Sequence, residues 1–185
     1  MLIQAEETSL IAQANNDDSA FTELYNYYFP RVYNYVHYRV DDFYAADDLT
    51  SQIFEKLFSR IKCYQPEKAP FSAWLFSIAR NTITDYYRSQ MRTHVTSLEI
   101  AAESIDSEPG PDEIAIFNEI QQHLQKAVAS LSQRERDIIA LKFWGGLSNR
   151  DIAKLVGINE SNTGVILFRA MRRLRIILES QGLNI

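Results

Sequence analysis

Side chains that could do chemistry gather in three stretches of this chain, two of them suited to handling nucleic acid. Near its C-terminal end, Arg169, Arg172, Arg173 and Arg175 follow one another at helical spacing, and guanidinium groups pair with phosphates and with the guanine edge. In the middle, Arg80, Asn81, Asp85, Tyr86, Arg88 and Arg92 mix cations, an amide and an aromatic ring. Asn81, Thr84, Asp85 and Arg88 fall three or four residues apart, which puts them on one helix face. That combination suits single-stranded nucleic acid, whose unstacked bases can be stacked and read on their edges. A solvated helix face has the same composition, so both readings stand at this point. The third stretch holds Asp47, Asp48, Gln52 and Glu55. Acids near a helix start complement its dipole, and adjacent helical residues point apart, so a metal site or an acid–base dyad is a poor reading. The histidines, His37, His94 and His123, match no metal-ligand spacing. With no nucleophile–base set or phosphate loop either, no metal, cofactor or catalytic residue is expected. An enzyme is the least supported class.

The arginine-rich stretch is positioned by three helical segments between Leu131 and Leu178. Ser132-x-x-Glu135 is a capping-box start, and Ser148-x-x-Asp151 starts a second helix in the same way. Gly145-Gly146 stops the first, and Gly157-Ile158-Asn159 makes a tight turn before Glu160 opens the third. A short helix, a Gly-containing turn and a basic helix form a helix-turn-helix, whose last helix can enter the DNA major groove. A plain helical bundle would look similar, and Ile152, Ala153, Leu155, Val156 and Ile158 are expected in the core either way.

Upstream, residues 1 to about 18 show little periodicity and are expected as a frayed or partly helical tail. Leu24, Tyr25, Tyr28, Val32, Tyr35 and Val36 recur at helical spacing, with Pro30 expected to kink or divide that helix. Leu49, Ile53, Phe54, Leu57, Phe58 and Ile61 form a second stripe, on a helix expected over Ala45 to Ile61. Phe71, Trp74, Leu75, Ile78 and Ile83 form the buried side of a third, over Phe71 to Met91. Thr93 to Glu113 is acidic, holds Glu108-Pro-Gly-Pro111 and has no period, which predicts a flexible linker. Ile114 to Leu131 returns to helical spacing. The expected fold is all-α: a tail (1–18), a helical domain (19–92), an acidic linker (93–112) and a helix-turn-helix domain (113–180).

The formal charge of −5 over 185 residues hides an asymmetry. From Ile114 onward there are 10 Lys and Arg against 6 Asp and Glu, whereas Thr93 to Glu113 has 6 acids and no Lys or Arg. The basic part is therefore the helix-turn-helix. Cys63 is the single cysteine, so an internal disulfide is excluded, as suits a reducing cytosol. No apolar run approaches the roughly 20 residues of a membrane span, and cytoplasmic residence is expected.

The order of these segments resembles the extracytoplasmic-function (ECF) sigma factors, the small two-domain group of the sigma-70 family. ADDLTSQIFEKLF (Ala46 to Phe58) resembles the segment that docks on the β′ clamp helices of RNA polymerase. FSAWLFSIARNTITDYYRSQ (Phe71 to Gln90) is similar to the segment that melts and reads the −10 promoter element. LSQRERDIIALKFWGGLSNRDIAKLVGI with the following RA-x-x-RLR resembles the domain that reads the −35 element. The resemblance implies a transcription initiation factor whose partners are core polymerase (clamp helices and β flap), promoter DNA and an anti-sigma factor. It implies polymerase contacts at Asp47, Asp48, Gln52 and Glu55, and −10 contacts at Arg80, Asn81, Asp85, Tyr86, Arg88 and Arg92. The −35 contacts implied are Asn149, Arg150, Ser161, Asn162, Phe168, Arg169, Arg172 and Arg173. One stretch departs from the pattern: Gly164, Val165 and Ile166 replace positions that often carry Lys, Ser or Arg. Either the backbone approaches DNA closely there, or direct base readout is weak. A stand-alone helix-turn-helix regulator and a sigma-like interaction or decoy protein are the competing readings.

Overall fold

A computed structural model describes residues 4–14, 16–94, 127–128 and 130–181. Among them are seven α-helices and one 3-10 turn, with no strand. They fall into two compact units, one built on the first four helices together with the segment Phe143–Leu147, the other on the remainder of the last three. The acidic stretch from residue 95 onward, expected as the linker, and most of the helix expected over Ile114 to Leu131 lie outside the described residues.

In the first unit, α2 (Asp18–Arg39) starts where the Asp17 carboxylate accepts from the Ser19 N–H. It buries Leu24, Tyr28, Val32, Tyr35 and Val36, the stripe expected from their spacing; Tyr25 is only half-buried. Pro30 does not divide it. The proline and Asn26, whose carbonyl loses its donor, are both exposed, so water can take the place of the missing hydrogen bond. Part of the expected tail is helical, as α1 (Gln4–Gln13), and it is docked rather than frayed, with Ile11 buried together with the following Ala14. It is pinned by the Tyr28 hydroxyl, which donates to the Glu7 carboxylate. Burial first, and that acidic partner second, push the Tyr28 phenol far above its ordinary value.

The next helix, α3 (Phe43–Arg60), begins two residues before the expected Ala45, because Asp42 caps it by accepting from the Ala45 N–H at 3.0 Å. It buries Ala46, Leu49, Ile53, Phe54 and Leu57. Phe58, expected on that stripe, is instead 59 % exposed, its ring edge-on to Phe21. A 3-10 turn (Ile61–Cys63) leads to the loop before α4 (Phe71–His94). Phe71, Leu75, Ile78 and Ile83 of α4 are buried as expected, while Trp74 is half-buried.

In the second unit, α5 (Gln133–Phe143) carries the capping box in full. The Ser132 N–H and hydroxyl both donate to Glu135 Oε2 at 2.8 Å, and the Glu135 N–H donates back to the Ser132 hydroxyl at 3.3 Å. The turn after it takes a left-handed residue at Gly146 (φ 64°). The Ser148 hydroxyl caps α6 (Asn149–Val156) by accepting from the Asp151 N–H at 3.1 Å. Gly157 closes α6 in the left-handed conformation (φ 72°), and Asn159 starts α7 (Glu160–Ser180) by accepting from the Asn162 N–H at 2.7 Å. Ile152 and Ala153 are fully buried, but Leu155, Val156 and Ile158 are half-buried among the described residues and not the core positions expected. The buried face of α7 is Thr163, Leu167, Ala170, Leu174 and Leu178.

Candidate nucleic-acid interface

Three surfaces carry the residues singled out in the sequence. On α3, Asp48, Gln52 and Glu55 are exposed together with Ser51, and their spacing places them on one face, with Tyr44 one turn before Asp48. Asp47 does not join them. It is half-buried, and its carboxylate accepts from His37 Nε2 at 2.9 Å. Partial burial, with the Asp47 charge added, pushes the neighbouring Tyr33 phenol upward. Because α3 starts at Phe43, Asp47 and Asp48 lie beyond its first turn, where the dipole is weak. Complementing the helix start therefore does not account for them.

The second surface is a polar cleft of about 570 Å³ between α3 and α4, lined by Lys56, Arg60, Trp74, Ser77, Arg80, Asn81, Thr84, Asp85 and Arg88 among others. It gathers four of the six expected −10 residues: Arg80, Asn81, Asp85 and Arg88. Tyr86 and Arg92 do not line it. The Tyr86 hydroxyl accepts from Gln90 Nε2 at 2.7 Å and its ring meets Tyr87 edge-on, while Arg92 Nε donates to the Arg88 carbonyl at 3.3 Å. Lys56, Arg60 and Trp74 were not anticipated as part of this site. Lys56 and Arg60 sit one turn apart on α3, off its apolar stripe, and that was the one available sign. Lys56 Nζ donates to Thr82 Oγ1 at 3.0 Å, which fixes the ammonium at the cleft wall. Asp85 and Arg88 are 3.6 Å apart and both well exposed, a pair worth little by itself. Four cations, an indole face and the Asn81 and Asp85 side chains can together hold phosphates, stack a base and bond its edge.

The third surface is the helix-turn-helix. Ser161, Asn162, Arg150, Phe168, Arg169 and Arg172 are exposed. Asn149 is not: it is half-buried, and its Oδ1 is closed off from solvent without a hydrogen-bond partner. Arg173 is committed to Glu135, Nη1 to Oε2 at 3.2 Å. Partial burial alone would raise the Glu135 carboxyl, but the Ser132 donors and the Arg173 guanidinium outweigh it and hold it below its ordinary value. A shallow groove of about 440 Å³ runs along α7 between Phe168, Arg169, Arg172, Arg173, Ile176 and Ile177. No Cβ clash explains Gly164, since an added methyl would meet only Asn149 Nδ2 at 3.7 Å.

Among the described residues no cluster of His, Cys, Asp or Glu fits a metal ion, and no helix is long and apolar enough to cross a membrane.

Comparison with known proteins agrees with this layout. The family model "Sigma-70 region 2" matches residues 24–93 and "Sigma-70, region 4" matches residues 121–174. The ECF RNA polymerase sigma factor BldN of Streptomyces coelicolor is 34 % identical over 168 residues, covering 90 % of this chain and 63 % of BldN. The ECF sigma factor SigM of Bacillus subtilis is 28 % identical over 164 residues, covering 88 % and 96 %. The chain thus spans somewhat under two-thirds of BldN and nearly all of SigM. Among solved structures, the sigma factor RpoE of Bartonella quintana, in complex with the anti-sigma factor NepR, aligns with a TM-score of 0.68 at 23 % identity, covering 86 % of this chain and 96 % of RpoE. CnrH, in complex with the cytosolic domain of CnrY, aligns with a TM-score of 0.64 at 21 % identity, covering 95 % and 98 %. With a region 2 match from within α2 through α4 and a region 4 match over the helix-turn-helix, the chain belongs to the ECF sigma factors of the sigma-70 family.

Proposed function

We propose that this protein binds core RNA polymerase, directs it to promoters and starts transcription without performing covalent chemistry itself. The observation that carries the reading is the pairing of two differently built nucleic-acid surfaces on one chain. A cleft between α3 and α4 offers cations, an indole and base-edge groups, suited to a melted single strand. An exposed arginine face on α7 follows a helix-turn-helix turn, suited to a duplex.

In this reading residues 19–92 dock on polymerase and open the −10 region, residues 93–112 tether, and residues 113–180 grip the −35 duplex. The exposed α3 face of Asp48, Gln52 and Glu55 meets the clamp helices, with Asp47 holding His37 beside it. Arg80, Asn81, Asp85 and Arg88, joined by Lys56, Arg60 and Trp74, hold the non-template strand; Tyr86 and Arg92 act from the cleft's margin. Arg150, Ser161, Asn162, Phe168, Arg169 and Arg172 face the −35 duplex, while Asn149 supports α7 from behind. The protein works in the cytoplasm, and an anti-sigma factor restrains it, as NepR is bound to RpoE in the related structure. A stress-response regulon fits this class of factor.

The test is transcription by core polymerase on genomic promoters with and without the protein. New, specific start sites support the reading. Failure to bind core polymerase, with duplex binding retained, would instead favour a stand-alone regulator.

A further inference from the structure

The long helix α7 is apolar on two opposite faces. One, Thr163, Leu167, Ala170, Leu174 and Leu178, packs into its own unit. Opposite it, at 100° per residue, stand Val165, Phe168, Arg172 and Ile176, with Arg169 beside them. Phe168 is 69 % exposed and Val165 41 %. A helix apolar on both sides has a second partner to cover the outer one. The charges around it define that partner. Between Glu160 and Glu179, α7 carries four arginines and no acid, and Arg169 and Arg172 have no ion-pair partner among the described residues. An apolar strip edged by unpaired guanidinium groups fits a polyanion that also presents apolar groups. Duplex DNA does so in the major groove, where the thymine C5-methyl is the apolar group on the base edges. Val165 and Phe168 lie in the N-terminal half of α7, the part that meets base edges in a helix-turn-helix. Ile176 lies roughly 12 Å further along the axis from Phe168, beyond that reach.

We propose that this protein reads its −35 element through thymine methyl groups, with Val165 and Phe168 as the specificity-determining residues and Arg169 and Arg172 fixing the phosphates. The inference rests on the sigma-factor reading and deepens it. Hydrogen-bond readout is confined to the first turn of α7, at Ser161 and Asn162. The middle of the helix, where Gly164 and Val165 stand, discriminates by apolar contact and shape. It therefore prefers thymine over cytosine at the facing positions without a direct hydrogen bond.

The experiment uses the full chain assembled with core polymerase. Duplexes are first selected from a library randomised in the −35 region, and each selected thymine is then replaced by deoxyuridine, which keeps every hydrogen-bonding group and lacks only the methyl. The expected result is an enriched element containing thymine, with affinity falling about fourfold per facing methyl removed. Phe168→Ala and Val165→Ala each abolish the sensitivity at one position, and Phe168→Leu keeps part of it. Both side chains are exposed, so unchanged melting temperatures confirm that the variants remain folded. An enriched −35 element indifferent to deoxyuridine overturns the inference and leaves the sigma-factor reading standing. Failure to assemble with polymerase, or no enrichment, overturns that reading and this inference with it. If Phe168→Ala instead abolishes a concentration-dependent dimer or an anti-sigma complex while DNA affinity is unchanged, the strip is a protein interface and the proposal fails.

Discussion

Arg172 and Arg173 are neighbours in sequence and differ in what they can give to DNA. Arg172 is exposed and has no ion-pair partner among the described residues, whereas Arg173 already bonds Glu135. Neutralising a phosphate with a solvated cation releases a counterion and steepens the salt dependence of binding. Arg172→Ala is therefore expected to lower affinity for all duplexes alike and to reduce the slope of log K against log salt by about 1. Titrations at several salt concentrations on two unrelated duplexes check this. A change in base preference instead would mean that Arg172 reads sequence.

At the scale of elements, α7 tolerates a residue that a helix disfavours. Gly164 costs about 1 kcal/mol of helix propensity relative to Ala, and among the described residues an added methyl would meet only Asn149 Nδ2, at an ordinary contact distance of 3.7 Å. Gly164→Ala should raise stability by about that amount in a denaturant melt. If DNA affinity falls in the same variant, the DNA backbone or a base approaches α7 closely at this position. The start of α5 gives a pH signature. The folded Glu135 carboxyl is held below its ordinary value, so its contribution is present above the unfolded value and is lost as pH falls through the folded one. Stability of the wild type should drop below about pH 4, and Glu135→Gln should flatten that part of the curve. Circular-dichroism melts across pH 2–6 test it.

Helix identities were readable in the sequence because each of α2, α3 and α4 buries a stripe of regular period, and the starts of α5 and α6 are short local patterns such as Ser132-x-x-Glu135. Features that depend on what lies across from a helix were not. Phe58 has the right spacing for the core and yet stays largely exposed, meeting Phe21 of α2 edge-on. In α1 the apolar residues are few, and its docking depends on Glu7 meeting Tyr28, 21 positions away. The cleft between α3 and α4 was half legible for the same reason. Its α4 side is a run of polar residues at helical spacing, while Lys56 and Arg60 come from α3 and join it only once the two helices pack.

For the molecule as a whole, the division of labour makes its parts separable by mutation. Asp48 is exposed on the first unit, whereas the α7 arginines belong to the second. Asp48→Lys should weaken core polymerase binding by tenfold or more through charge reversal at the docking face. Binding of the full chain to duplex DNA should be unchanged in a direct titration. Equal loss in both assays would contradict the assignment. The charge distribution points the same way. A protein of net −5 whose positive charge is concentrated after residue 113 meets DNA best when its acidic remainder is turned toward a basic partner.

The Glu135–Arg173 pair has a thermodynamic consequence for promoter engagement. Glu135 Oε2 is shared by the Ser132 N–H, the Ser132 hydroxyl and the Arg173 guanidinium. A phosphate that recruits Arg173 does not meet a waiting cation; it competes with a carboxylate that already holds one. Engagement at this point is an exchange reaction, in which one ion pair is surrendered for another and little net charge is neutralised. In the proposed duplex complex the capping carboxylate would thereby act as an internal counterion, tempering the grip of α7 on arbitrary DNA.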